Sequence, residues 1–221
     1  MKITKEGIAV IEGDTHISKW VEETGRLDHD QNTLPRILKF IKPGDTVIDC
    51  GAFIGDHTIA YSEKVGGFGY VIGIESNPEA YECLKYNLSK AASTTCFINN
   101  AVSDVSESGL VIVPNENAGA SSVSIGNSIY TMTIDSLKLA KCNLIKMDIE
   151  GFEVKALNGA RETIKKFRPY LVIEINEEAL NKQGNTPQDI FNFLKEMDYI
   201  YCNIYPGQLP EGPQYDIICI P

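Results

Sequence analysis

From residue 46 onward, short apolar runs alternate with stretches whose apolar residues recur at helical spacing. The segments "TVIDC" (46–50), "YVIGIE" (70–75), "TCFINN" (95–100), "NLIKMDIE" (143–150) and "YLVIEIN" (170–176) read as strands. Between them, "GDHTIAYSEKV", "PEAYECLKYNL" (78–88), "EVKALNGARETIKKF" and "TPQDIFNFLKEM" (186–197) read as helices. Pro78 and Pro187 sit in first turns, and Thr186 supplies a cap. This alternation predicts a parallel sheet with helices on both faces. The ending departs from it. "YIYCNI" (199–204) and "YDIICI" (215–220) are joined by "YPGQLPEGPQ", which has no room for a crossover helix, so these strands should pair antiparallel.

Two regions are less regular. Between Ala101 and Cys142, "GLVIVP" and "IYTMTIDSL" look like strands, and "NENAGASSVSIGN" between them looks like a mobile loop. Its "NAGASSVS" portion is expected to face a polar substrate. Residues 1–34 form an N-terminal extension, and the helix "TLPRILKFI" leads from it into the sheet. The expectation is a single domain over 1–221, with its core at 35–221.

One strand breaks the rule for a buried sheet. In "NLIKMDIEG", Lys146, Asp148 and Glu150 occupy every second position, so a strand would point all three charges to one face. A strand between parallel neighbours should be apolar on both faces. The charges make sense if this strand ends at a crevice, because open α/β sheets bind ligands beyond the carboxyl ends of their strands where the strand order reverses.

Composition narrows the partners. The 221 residues are 43% hydrophobic and 23% charged, ordinary for a globular protein, and the formal net charge is −10. That charge argues against nucleic acid or an anionic membrane surface. No apolar run approaches the roughly 20 residues that span a bilayer. Six cysteines lie at 50, 83, 96, 142, 202 and 219 with no C-x-x-C spacing. The N-terminus "MKITKEGIAVIEGDTH" has no secretory h-region, so a reduced, cytoplasmic protein is expected.

The first strand opens into "VIDCGAFIG", with Asp49, Gly51 and Gly55 spaced D-x-G-x-x-x-G. Glycines there permit a tight turn and close approach of backbone to a ligand. Three glycines in G-x-G-x-x-G would suit a pyrophosphate; this spacing does not match it. Glu75 ends the second strand, where a carboxylate can accept both hydroxyls of a ribose. A wide turn beside a carboxylate suits a cofactor with a positive centre and an amino-acid tail, such as S-adenosylmethionine.

The chain resembles the FkbM family of S-adenosylmethionine-dependent methyltransferases. The matching segments are "GDTVIDCGAFIGDHT", "GIESNPEAYECLKYNL", "AVSD", "AGASS", "IKMDIEGFEVKALNGA" and "PYLVIEI", covering roughly residues 40–176. The resemblance implies a Rossmann-like α/β fold, the class I methyltransferase sheet of seven strands in order 3-2-1-4-5-7-6 with the last strand antiparallel. It implies O-methylation of a sugar, glycan or glycosylated metabolite. Asp49, Gly51 and Gly55 would line the methionine end of the cofactor and Glu75 its ribose. Ser76 and Asn77 would flank the adenine, and Asn100 and Ala101 would meet its edge. Ala52, Phe53 and Thr58 would complete these contacts. The segment "GDHT" varies among members, so His57 could serve cofactor or substrate.

Methyl transfer to an alcohol needs the oxygen aligned and its proton removed. Asp148 is expected nearest the sulfonium, with Glu150 or His57 as base, and Glu174 either touches the acceptor or holds a neighbour. Lys146 reads as an ion-pair partner of Asp148. In "LDHDQN", His29 with its acids offers an alternative dyad, although capping of the next helix by Asp30 is the simpler reading. Asp148, Glu150 and Glu174 could hold Mg²⁺, but no Asp–Asp pair or Asp/Asn cluster stands out, and no metal ligand is assigned. Two other readings compete: an NAD-dependent Rossmann oxidoreductase, and a non-catalytic module that only binds S-adenosylmethionine. The acceptor and the oligomeric state stay open, as does membership of a larger glycan-modifying enzyme.

Overall fold

A computed structural model of the chain describes residues 1–113, 117–125, 128–204 and 213–221. A two-stranded hairpin, β1 (Lys2–Ile3) and β2 (Ala9–Val10), precedes α1 (Ile17–Thr24) and the short α2 (Leu34–Ile37), which runs into a 3-10 turn. Then follow β3 (Thr46–Cys50), α3 (Thr58–Val65), β4 (Tyr70–Ile74), α4 (Pro78–Asn87) and β5 (Thr94–Ile98). Four short strands come next: β6 (Ala101–Val102), β7 (Ser108–Ile112), β8 (Ser122–Ile125) and β9 (Ile129–Met132). The chain continues through β10 (Leu144–Met147), α5 (Glu153–Asn158), α6 (Arg161–Phe167) and β11 (Tyr170–Asn176). It ends with α7 (Glu177–Lys182), α8 (Pro187–Glu196), β12 (Ile200–Asn203) and β13 (Gln214–Ile220).

Seven of these strands form the central sheet, in the order β5-β4-β3-β10-β11-β13-β12. Numbered along the chain, this is the expected 3-2-1-4-5-7-6, and β13 runs antiparallel to both neighbours. The order reverses between β3 and β10, which pair in parallel. Alternation along each strand divides the apolar residues between two layers. Ile48, Ile145, Met147 and Ile173 pack with Leu157, Ile164 and Leu194 on one side. Val47, Val71, Leu144 and Val172 pack with Ile37, Ile41 and Tyr61 on the other. Thr186 opens α8 as expected, its N–H donating to Asp189 at 2.8 Å.

Three expectations change. The helix read through residues 153–167 is two helices. Gly159 lies between them, and a Cβ there would come 2.0 Å from the Ser103 carbonyl oxygen. The helical pattern persists across this site, but backbone contact with the β6 exit interrupts the helix. The strand read to Glu150 ends at Met147, and Glu150 and Gly151 turn with φ of 52° and 98°. The supposed mobile loop contains β8, paired antiparallel with β7 in a four-stranded sheet ordered β6-β9-β7-β8. Residues 114–116 and 126–127 of that region, and 205–212 of the final connection, lie outside the described residues.

The N-terminal extension packs against the mouth of the sheet. Ala9, Val10, Val21 and Leu27 are buried with Phe53, Ile54, Ala80 and Cys83. Asn87 fastens β2 to α4, accepting from Ala9 N at 2.7 Å and donating to Ala9 O at 2.9 Å. Among the described residues no helix is long and apolar enough to cross a membrane.

Candidate functional site

At the carboxyl ends of β3, β4, β10 and β11 lies a cavity of about 380 Å³, large enough for a small organic ligand. Its floor is the Gly51 turn. Gly51 has φ of 80°, and a Cβ there would stand 1.8 Å from the Asp148 carbonyl oxygen, so only glycine lets the exits of β3 and β10 touch. Beside it, Phe53 adopts φ of 45°, unfavourable for a residue with a side chain. Its N–H donates to Glu75 Oε2 at 2.8 Å, while Asn77 N donates to Glu75 Oε1 at 2.7 Å. Glu75 thus fastens the first turn to the second strand end. Burial pushes its carboxyl up to about 7, against the pull of those two amides.

Of the residues expected at a cofactor, Gly51, Phe53, Glu75, Ser76, Asn100, Ala101 and Asp148 line the cavity. Asp49, Ala52, Gly55, Thr58 and Asn77 are not among the residues that line it. Thr58 is fully buried and donates to Asp49 Oδ2 at 2.7 Å. Gly55 clears Leu88, which a Cβ would approach to 2.5 Å. Asn77 caps α4 by accepting from Glu79 N at 3.0 Å. The segment 117–121 does reach the cavity through Asn117, Gly119, Ala120 and Ser121. Asp14 of the extension holds it there, accepting from Ala118 N at 3.1 Å and Ser18 N at 2.8 Å.

The charged strand resolves into three different situations. Lys146 is buried, with Nζ 3.1 Å from Asp148 Oδ2 and 3.8 Å from Asp49 Oδ1. It lines the cavity, as the alternation suggested, but its ammonium is held low in it, between carboxylates on both sides of the strand-order reversal. Burial opposes its charge, but Asp148 and Asp49 outweigh that and hold its pKa well above the usual lysine value. Asp148 continues beyond the strand end, and its N–H still donates to Cys50 O at 3.2 Å. Glu150 sits on the left-handed turn. Glu153 stabilises that turn from beneath, accepting from Ile149 N at 3.0 Å and Gly151 N at 3.3 Å.

Asp148, Glu150 and Glu174 converge, with one carboxylate oxygen of each within 4.8 Å of the others. Asp216, opposite Glu174 in the β11–β13 register, lines the same cavity. Burial and the charge of Asp148 push Glu150 up to about 7 and Asp216 up to about 6, and the same causes raise Glu174. These oxygens are suitable in kind for a hard cation. One Asp148 oxygen is already engaged by Lys146, and one Glu174 oxygen accepts from Gln214 Nε2 at 2.6 Å.

The fourth wall comes from the extension. His29, Asp30, Asp56 and His57 line it together. Asp30 Oδ1 accepts from Thr33 N at 2.8 Å and Asn32 N at 3.0 Å, so it holds the turn ahead of α2, whose N-cap is Thr33, rather than capping the helix itself, while its Oδ2 lies 3.2 Å from His57 Nε2. Sequence reasoning missed Asp56 and Asp216. An acid beside histidine in both "LDHDQN" and "GDHT" was the available signal for the first. Asp216 had none, because its position opposite Glu174 depends on the register of β13 against β11.

Residues 49–201 match the family described as the methyltransferase FkbM domain. A hexuronic acid methyltransferase, AglP, of Haloferax volcanii is 27% identical over 189 residues, covering 80% of this chain and 73% of the relative. Among solved structures, a methyltransferase FkbM from Methylobacillus flagellatus superposes with a TM-score of 0.56 at 19% identity, covering 82% of this chain and 48% of that one. This chain therefore spans about half of that protein. A precorrin-6y C5,15-methyltransferase from Geobacter metallireducens gives a TM-score of 0.54 at 13% identity over 100% of this chain and 98% of its own. At these identities the structural likenesses speak for the fold.

Proposed function

The chain belongs to the FkbM methyltransferase family, and on that premise we propose that it moves the methyl group of S-adenosylmethionine to a hydroxyl oxygen of a sugar or glycan. The observation that carries the cofactor assignment is the Gly51 turn, closed against Asp148 O, beside the Glu75 carboxylate at the neighbouring strand end. The turn brings backbone close to a ligand, and Glu75 keeps acceptor capacity for two ribose hydroxyls beyond its two amide bonds. The carboxylates across the cavity suit a cationic donor. When bound, S-adenosylmethionine would supply an activated methyl group on a sulfonium.

The protein's own residues then have two tasks: to align one hydroxyl oxygen in line with the carbon–sulfur bond, and to accept its proton. Asp148, at the β10 exit, stands nearest the Gly51 turn and is assigned to the sulfonium end. Glu150 and Glu174, with His57 on the opposite rim, are assigned to the acceptor. The sugar assignment draws support from the hexuronic acid methyltransferase of Haloferax volcanii. The net charge of −10 argues for a small or neutral acceptor over nucleic acid.

The test is calorimetric titration with S-adenosylhomocysteine and NAD side by side, followed by a panel of sugars and hexuronic acids scored by mass for one added methyl. Binding of S-adenosylhomocysteine without NAD, and methylation that survives EDTA, are expected. NAD binding alone would overturn the reading. Loss of turnover in chelator, restored by Mg²⁺, would reassign Asp148, Glu150 and Glu174 as metal ligands.

A further inference from the structure

Two histidine–carboxylate pairs cross between the extension and the start of α3. His29 Nδ1 lies 3.1 Å from Asp56 Oδ2, and His57 Nε2 lies 3.2 Å from Asp30 Oδ2. The two rings stack, with centroids 6.2 Å apart and planes inclined by 25°. The pairs are not equivalent. His57 places its other nitrogen, Nδ1, 3.3 Å from the hydroxyl of the fully buried Tyr61, so both ring nitrogens are engaged inside the fold. His29 has a side chain 29% exposed and lines the cavity, and its Nε2 has no hydrogen-bond partner among the described residues.

We propose that His29 is the general base of the methyl transfer and that Asp56 is its positioning residue. The proposal rests on the methyl-transfer reading above. The Asp56 carboxylate, 3.1 Å from Nδ1, favours the tautomer with hydrogen on that nitrogen, which leaves the lone pair on Nε2 for a hydroxyl in the cavity that His29 lines. As the hydroxyl oxygen bonds to the methyl carbon, the carbon–sulfur bond breaks and its electron pair stays on sulfur. The hydroxyl proton passes to Nε2. The imidazolium so formed is paired with Asp56, and it returns the proton to water after product leaves. Nucleophile, base and orienting acid in series are one arrangement by which a hydroxyl loses its proton near neutrality. His57 already uses both nitrogens, so a base role for it would break a buried contact.

The surroundings of His29 fit a base that works near neutral pH. Burial lowers its pKa, but Asp56 and then Asp30 outweigh this, with Lys146 opposing, and the net direction is upward. Asp28, itself paired with Arg26, adds a further carboxylate on the same segment. Trp20 stands edge-on to the His29 ring, with centroids 6.1 Å apart. Glu150 is pushed up to about 7, so an acid limb in the rate profile alone does not distinguish it from His29. The distinction must come from Asp56.

The test combines His29→Asn, Asp56→Asn and Glu150→Gln with an NMR titration of the labelled imidazoles in the presence of S-adenosylhomocysteine. His29→Asn should lower kcat by about 10²–10⁴-fold while S-adenosylhomocysteine affinity is kept. Asp56→Asn should move the His29 pKa and the acid limb of kcat/KM down together, which a purely structural role would not do. Near-normal turnover in His29→Asn, with the loss carried by Glu150→Gln, would overturn the proposal. Should no sugar or hexuronic acid be methylated by the wild type, the function reading fails by itself, and the titration still decides the pair. A His29 pKa at or below about 6.5, or one indifferent to Asp56→Asn, overturns it. If His29→Asn does not fold, His29→Gln and the wild-type titration take its place.

Discussion

Asp49 and Lys146 lie opposite each other on adjacent parallel strands, and the ammonium of one stands 3.8 Å from the carboxylate of the other with neither group open to solvent. Burial pushes the Asp49 carboxyl up, against Lys146 and the Thr58 hydroxyl. With Asp148 on its other side, Lys146 stays charged. The pair therefore fixes charge where the strand order reverses, with Lys146 lining the cavity itself. Lys146→Met would leave two carboxylates without their counter-ion. Removing one partner of a buried pair costs about 3–5 kcal/mol. Thermal melts should show that loss, and Lys146→Met with Asp49→Asn should regain part of it. A single mutant as stable as wild type would refute the structural role.

Glu75→Ala should weaken the S-adenosyl cofactor by at least about 100-fold. Two bonds to a charged acceptor, each about 1.5–3 kcal/mol, would be lost. The Phe53 and Asn77 amides would lose their acceptor as well. Glu75→Gln should rescue little, because its amide nitrogen must face one of those N–H groups. Calorimetry giving wild-type affinity in Glu75→Ala would remove the ribose assignment.

Stability should fall as pH rises towards 8. Glu75, Glu150 and Glu153 are each pushed up to about 7 from 4.5, chiefly by burial. Each raised group contributes stability that is complete below its unfolded pKa and is lost as pH rises through its folded one. His29, also raised, acts in the same direction. Asp30 and Asp56 are lowered despite burial, through their histidine partners, and their contribution is lost only in stronger acid. The ligand-free protein should therefore melt highest near about pH 5. Glu153→Gln should flatten the decline, since it keeps an acceptor for Ile149 N and Gly151 N without a buried charge. A Tm that rises from about pH 5 to 8 would contradict this assignment of the shifts.

Local pattern was enough to read the strands of the central sheet and the helices that bury their faces, because periods of two and near four are written in adjacent residues. The antiparallel end followed from connection length, and Glu75 and Gly51 from their places at strand ends. Recognition of the family's ordered segments supplied the strand order. Tertiary structure decided what those residues do to one another. "NLIKMDIEG" shows alternating charge, but only the approach of β3 turns Lys146 into a buried counter-ion of Asp49, and only Glu153 turns Glu150 off the strand. Asp49 and Thr58 were legible as residues of the first turn, but only packing shows that the hydroxyl of one donates to the buried carboxylate of the other. Asp216 meets Glu174 through the register of β13 on β11, and His29 meets Asp56 across residues that are distant along the chain. Such pairings depend on where separate elements dock, and docking is fixed by burial and backbone hydrogen bonds summed over the whole fold.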